Sequence, residues 1–120
     1  MKKKTLVLGA SLNTSRYSNF AMHKLVNHNI ETVAIGLKIG EVADVAISTE
    51  MTSFKNIHTV TLYLNPANQK PYYDYILSLK PKRVIFNPGT ENPEFYKILK
   101  ENKIYFESAC TLVLLSTNQY

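Results

Sequence analysis

The chain has 120 residues, 45% of them hydrophobic and 19% charged, with a formal net charge of +5 and a single cysteine, Cys110. That length fits one domain, residues 1–120, whose folding buries roughly two thirds of the unfolded-chain surface. The composition excludes a disordered chain, and the lone thiol excludes an internal disulfide scaffold. The apolar run Leu6 to Ala10 behind the basic start Met1–Lys4 is too short for a signal-peptide core or a membrane span, so a cytoplasmic protein is expected.

Thr5-Leu6-Val7-Leu8, ending in Gly9, is a buried-strand pattern. From about Asn19, Phe20, Leu25 and Val26 fall near helical spacing, with Ser18 placed to cap that helix by accepting from a backbone N–H. Thr32 to Ile35, ending at Gly36, makes a second strand and closes a β-α-β unit. Val45-Ala46-Ile47 reads as a short edge strand and His58 to Tyr63 as a longer one, after which the chain turns at Asn65-Pro66.

Tyr72, Tyr75, Ile76 and Leu79 form a helical stripe stopped by Pro81, and Arg83 to Phe86 is the next strand. The turn Asn87 to Asn92 leads into a helix that starts at Pro93 and carries Phe95, Ile98 and Leu99. Ile104 to Phe106 is the last strand, and Cys110 to Leu115 begins a final helix. Strands alternating with helices imply an α/β fold, a single Rossmann-like, doubly wound, mainly parallel sheet with helices on both faces.

Ligands of such sheets bind beyond the carboxyl ends of the strands, so the strand-end loops are read together. In Gly9-Ala10-Ser11 a glycine permits a tight turn, the following N–H groups can meet a phosphate, and Ser11 adds a hydroxyl before the positive end of a helix. The dinucleotide fingerprint GxGxxG is absent, since Ser11 and Thr14 occupy its second and third glycine positions. At the end of the second strand, where NAD-binding domains place an acid, stands Gly36-Leu37-Lys38. Lys38 can neutralise a phosphate on an adenosine ribose, which both NADP and coenzyme A carry.

Asn65-Pro66 and Pro88-Gly89-Thr90-Glu91-Asn92 fall on the same rim, with Thr90 and Asn92 able to offer polar contacts. Glu91 is a weaker candidate, for acid-base work, because turn glutamates more often face solvent or cap a helix. His23, His28 and His58 lack a shared helix face and one cysteine cannot complete a thiolate site, so no metal is expected. The tyrosines Tyr72, Tyr73 and Tyr75 read as helix-to-sheet packing, and Cys110 as a small buried thiol. The lysines fall largely on helix ends and exposed faces, and no arginine-rich stripe or aromatic-basic motif accompanies them. An anionic small ligand, rather than nucleic acid, is the expected partner.

With Val7 to Ser11, Tyr17, Gly36-Leu37-Lys38, Asn65-Pro66 and above all Pro88 to Asn92 in place, the chain resembles the small stand-alone CoA-binding domain family, related to the CoA-binding domain of the succinyl-CoA synthetase alpha subunit. Cys110 sits where members commonly have a cysteine. The resemblance spans nearly the whole chain, and it implies that Gly9, Ala10 and Ser11 meet the pyrophosphate region and that Lys38 lies by the adenosine phosphate. It further implies that Tyr63 to Pro66 and Pro88 to Thr90 border the cofactor, and Tyr17, in the loop before the first helix, and Ser18, at its cap, are counted among the cofactor-binding residues with them. Two departures stand out. The family's usual Asn-Pro pair before the lysine is Gly36-Leu37 here, and the proline after the late cysteine is Thr111.

The reading that follows is a module binding coenzyme A or an acyl-CoA, non-catalytic alone or acting with a protein partner. The alternatives are an NADP-type nucleotide-binding enzyme fragment and a regulatory or interaction domain with a decayed ligand site.

Overall fold

The computed structural model describes residues 2–120; Met1, the first residue of the basic start, lies outside them. The chain runs β1 (Thr5–Ala10), α1 (Tyr17–Asn27), β2 (Thr32–Gly36), β3 (Gly40–Val42), β4 (Val45–Ser48), β5 (Thr59–Leu62), α2 (Pro66–Gln69), a 3₁₀ turn (Lys70–Tyr72), α3 (Tyr73–Leu79), β6 (Arg83–Phe86), α4 (Pro93–Glu101), β7 (Tyr105–Ser108) and α5 (Thr111–Ser116). The strands form one sheet in the order β3-β4-β2-β1-β5-β6-β7, parallel throughout except for the β3–β4 pair.

The alternation along β1 divides the core between the two faces of the sheet. Leu6 and Leu8 join Val60, Leu62, Val84 and Phe86 beneath Ile76, Phe95 and Leu99 of α3 and α4. Val7 and Ala10 point the other way and pack with Ala34 and Ile47 beneath Met22 and Leu25 of α1 and Leu115 of α5. Both faces are thus covered, as a parallel sheet requires. From β1 the chain passes to β2, out to the edge at β3 and back to β4 beside β2, then crosses past β1 to build β5, β6 and β7. Strand order reverses at β1, which opens a crevice beyond its carboxyl end.

Several expectations are corrected. The antiparallel hairpin β3–β4 lies outside β2, so the strand at Val45 is not the sheet edge; β3 is. Its two-residue turn is Ala43-Asp44, both at positive φ (52° and 65°). This is hairpin geometry that sequence normally signals with Asn-Gly or Asp-Gly. Helix α1 begins at Tyr17, with Arg16 as its N-cap and no side-chain cap bond, so Ser18 is a buried first-turn residue and not the cap. The cause is the turn ahead of it: Asn13 Oδ1 accepts from Ser15 N (2.9 Å) and Asn13 O accepts from Arg16 N (3.1 Å), which winds the chain before Ser18 is reached. The helix phase shifts accordingly. Its buried face is Ser18, Ala21, Met22 and Leu25, whereas Phe20 is 46% exposed beside Tyr17.

The strand end of β1 is shaped by close backbone approaches. Register with β2 slips between Leu8 and Ala10, a bulge centred on Gly9 at φ +99°. A Cβ on Gly9 would sit 2.9 Å from the Tyr63 carbonyl group, and one on Gly36 would sit 2.3 Å from the Ala10 oxygen. Both glycines are therefore demanded by neighbouring backbone.

Candidate functional site

A cavity of about 520 Å³ opens at the reversal of strand order. The loop after β1 contributes Gly9, Ala10 and Ser11, and the first turn of α1 contributes Tyr17 and Ser18. Lys38 comes from the end of β2, Tyr63 and Asn65 from the end of β5, and Pro88, Gly89 and Thr90 from the end of β6. Of the residues that the family resemblance sets against the cofactor, Pro66 is the one outside the lining. It is exposed at the first position of α2, turned into a helix whose cap is Asn65, whose Oδ1 accepts from Asn68 N at 2.9 Å.

The β1–α1 loop is folded on itself. Ser11 Oγ accepts from Asn13 N (3.1 Å), leaving its own proton free to donate outward, and Asn19 Nδ2 holds the Ser11 carbonyl at 2.9 Å. Because α1 lacks a side-chain cap and has no acid in its first turn, the positive end of its dipole, at the cavity-lining Arg16, Tyr17 and Ser18, is not neutralised from within the helix.

Arg16, which no motif in the sequence singles out, joins Lys38 as a second cation in the cavity lining. No carboxylate lines the cavity, and among the described residues neither Arg16 nor Lys38 is in an ion pair. The signal for Arg16 was its place immediately before the helix, legible only once the helix start is known.

The far side has a different character. Tyr63, Leu64, Tyr72 and Pro88 form it, so Tyr72 is a cavity residue, while its neighbour Tyr73 stacks on Phe95 in the core. The Tyr63 hydroxyl is buried without a hydrogen-bond partner, and burial pushes its pKa up to about 12, so it stands as a neutral phenol. Two strand intervals separate the β2 end from the β5 end and three separate it from the β6 end, which at about 4.8 Å each puts this wall about 10–14 Å from the strand end that carries Lys38.

The β6 loop is pinned from beneath. Asn87 Nδ2 donates to Thr61 Oγ1 (2.7 Å) and the Leu62 carbonyl (2.8 Å), and its Oδ1 accepts from Thr111 N (2.9 Å). Thr90 donates twice to the Asn87 carbonyl, from N at 2.9 Å and Oγ1 at 2.7 Å. Gly89 has φ +92° and no atom within 4 Å of where a Cβ would lie, so its backbone presents a bare surface to the opening.

Three candidates fall elsewhere. Glu91 is outside the cavity lining, its carboxylate accepting from Gly89 N at 2.8 Å, and Asn92 is buried beneath the rim as the cap of α4. Cys110 is half-buried at the N-cap of α5, more open than the buried thiol expected and also outside the lining. Among the described residues no group of three or more metal-ligating side chains converges. No helix among them is long and apolar enough to cross a membrane.

Residues 3–116 match the profile of the CoA binding domain. The chain belongs to this CoA-binding domain family. A crystal structure of an uncharacterized protein is 51% identical, with a TM-score of 0.96 over 100% of this chain and 99% of the other. A Thermus thermophilus protein, cell-free ID.343, is 21% identical with a TM-score of 0.86, covering 99% and 91% of the two chains. A hypothetical protein from Pyrococcus horikoshii OT3 is 24% identical, again at 0.86, covering 97% and 83%. The last two establish for the CoA-binding domain a shared α/β fold. No curated protein matches the chain.

Proposed function

We propose that this CoA-binding domain holds coenzyme A or an acyl-CoA across the strand ends, with the phosphorylated adenosine on the Lys38 side and the pantetheine arm toward Tyr63 and Tyr72. The observation that carries the reading is the cavity's polarity. Two cations without an ion pair among the described residues and an uncapped helix start stand at one end, and an uncharged, partly aromatic wall stands about 10–14 Å along the strand ends. A ligand with clustered phosphates and a long, uncharged arm matches both ends at once. Gly9, Ala10 and Ser11 lie midway, where the pyrophosphate would meet backbone N–H groups and the Ser11 hydroxyl.

Cys110 and Glu91 both lie outside the cavity, and no thiol, imidazole or carboxylate is among the residues that line it. The domain acts as a carrier or sensor of the thioester, with any chemistry supplied by a partner protein, and its lone thiol suits a reducing cytoplasm. Against a decayed site speaks the open cavity, into which no lining side chain has grown at Gly89.

Thermal unfolding with added ligand tests the proposal. CoA should raise Tm in a concentration-dependent way, since a ligand that binds only the native state stabilises it by mass action, and NAD should raise it much less. NADP matching CoA would favour the nucleotide-enzyme alternative, and no shift with any of them would favour the decayed site.

A further inference from the structure

Two loops make the uncharged end of the cavity, residues 63–65 after β5 and 88–90 after β6, and neither is tied to the other by a backbone hydrogen bond. Asn87 ties the strand ends beneath them, and among the described residues one side chain bonds directly to both loops. Gln69, the last residue of α2, is fully buried. Its Nε2 donates one proton to the Leu64 carbonyl at 2.8 Å and the other to the Thr90 carbonyl at 2.7 Å. Its Oε1 accepts from Asn92 Nδ2 at 2.9 Å, and Asn92 in turn donates to the Tyr73 hydroxyl at 2.8 Å and caps α4 by accepting from Phe95 N at 3.3 Å.

A primary amide has two donor protons and one acceptor oxygen, and here all are used on partners of the matching kind, so its orientation is dictated and it cannot rotate without stranding a buried group. Gln69 does not itself line the cavity. We propose that Gln69 is a positioning residue: its amide bridges the Leu64 and Thr90 carbonyls, fixes the spacing of the two walls, and thereby sets affinity for the part of the ligand lying between them. This rests on the ligand placement proposed above, with the arm of CoA between those walls.

The spatial division supplies the test. Gln69→Met keeps the shape of the side chain but removes all three hydrogen bonds, while the cationic end, built from α1 and the β2 end, is untouched. Calorimetric titration is run on wild type and variant with two probes, CoA and adenosine 3',5'-bisphosphate, the latter lacking the arm. The variant should bind CoA on the order of tenfold more weakly, the effect of losing a buried polar tie. Its affinity for the bisphosphate should change by less than about twofold, within the usual additivity of distant sites. Equal weakening of both probes would mean general destabilisation and overturn the proposal, as would no weakening of CoA.

In wild-type protein the side-chain amide protons of Gln69 should both be resolved by NMR and exchange slowly with solvent. Rapid exchange would overturn the bridge without any variant having to fold. If wild type bound neither probe while those protons stayed protected, the ligand assignment would have failed and the bridge would stand as architecture alone, defeating the claim that it sets affinity.

Discussion

Replacing Lys38 with alanine separates a phosphate-reading lysine from a surface one. In the proposed complex its ammonium meets the 3'-phosphate of CoA, a charge-assisted contact worth about 1.5–3 kcal/mol where water is excluded. Here water is not excluded. Lys38 is exposed and flanked by Leu37 and Ile39, which are 92% and 78% exposed, so solvent screening cuts the contact to about 0.5–1.5 kcal/mol. That corresponds to a loss of roughly two- to twelvefold in CoA affinity. In the same proposed complex Arg16, at the mouth of the uncapped helix, would meet the pyrophosphate, which CoA and dephospho-CoA share.

Titration of wild type, Lys38→Ala and Arg16→Gln with both ligands therefore has an asymmetric expected result. Lys38→Ala weakens CoA and leaves dephospho-CoA unchanged, whereas Arg16→Gln weakens the two alike. Raising the salt concentration should shrink the Lys38 effect as its charge is screened. Equal losses for both ligands in Lys38→Ala, or none for either, would refute the assignment of the β2 end to the ribose phosphate.

Gly36→Ala should lower stability by about 1–3 kcal/mol, because the new methyl would have to displace the Ala10 carbonyl from 2.3 Å and with it the β1–β2 pairing; chemical denaturation measures this, and an unchanged midpoint would show that the bulge relaxes freely. Stability should also fall as pH rises from about 10 toward 12. Burial raises the Tyr63 pKa from 10.0 to about 12, so the unfolded chain gives up this proton first; its contribution is complete below pH 10 and lost through the folded pKa. Burial pushes Tyr75 up to about 12 as well, so Tyr63→Phe, which removes an unpartnered buried hydroxyl, should lessen that alkaline decline without abolishing it and without lowering stability at neutral pH; a decline unchanged in the variant would assign it to the other tyrosines.

Periodicity alone determined most of the architecture. The runs at Thr5, Thr32 and Arg83 are short, apolar and closed by Gly or Asn-Pro, and Pro93 starts a helix whose Phe95 and Leu99 fall on one buried face. These are properties of residues near in sequence, so local physics decides them. The rim residues were legible for the same reason: in a parallel sheet every strand-end loop faces the same side, and naming the strands names the loops.

Tertiary structure decided what depends on residues far apart. The Ala43-Asp44 hairpin carries no strong turn chemistry and is held by its pairing beside β2, so β3 left little trace in the sequence. Arg16 became a cavity residue only because the Asn13 turn starts α1 early, and Tyr72 only because the 3₁₀ turn Lys70–Tyr72 leaves it on the other side of the chain from Tyr73. Pro66, read as a loop residue, was claimed by a helix. The Gln69 bridge lies furthest from sequence reasoning, since its partners are 5, 21 and 23 residues away and an isolated glutamine has no periodicity to betray it. Buried polar groups are matched only after the loops have closed, because it is closure that removes the water they would otherwise bind.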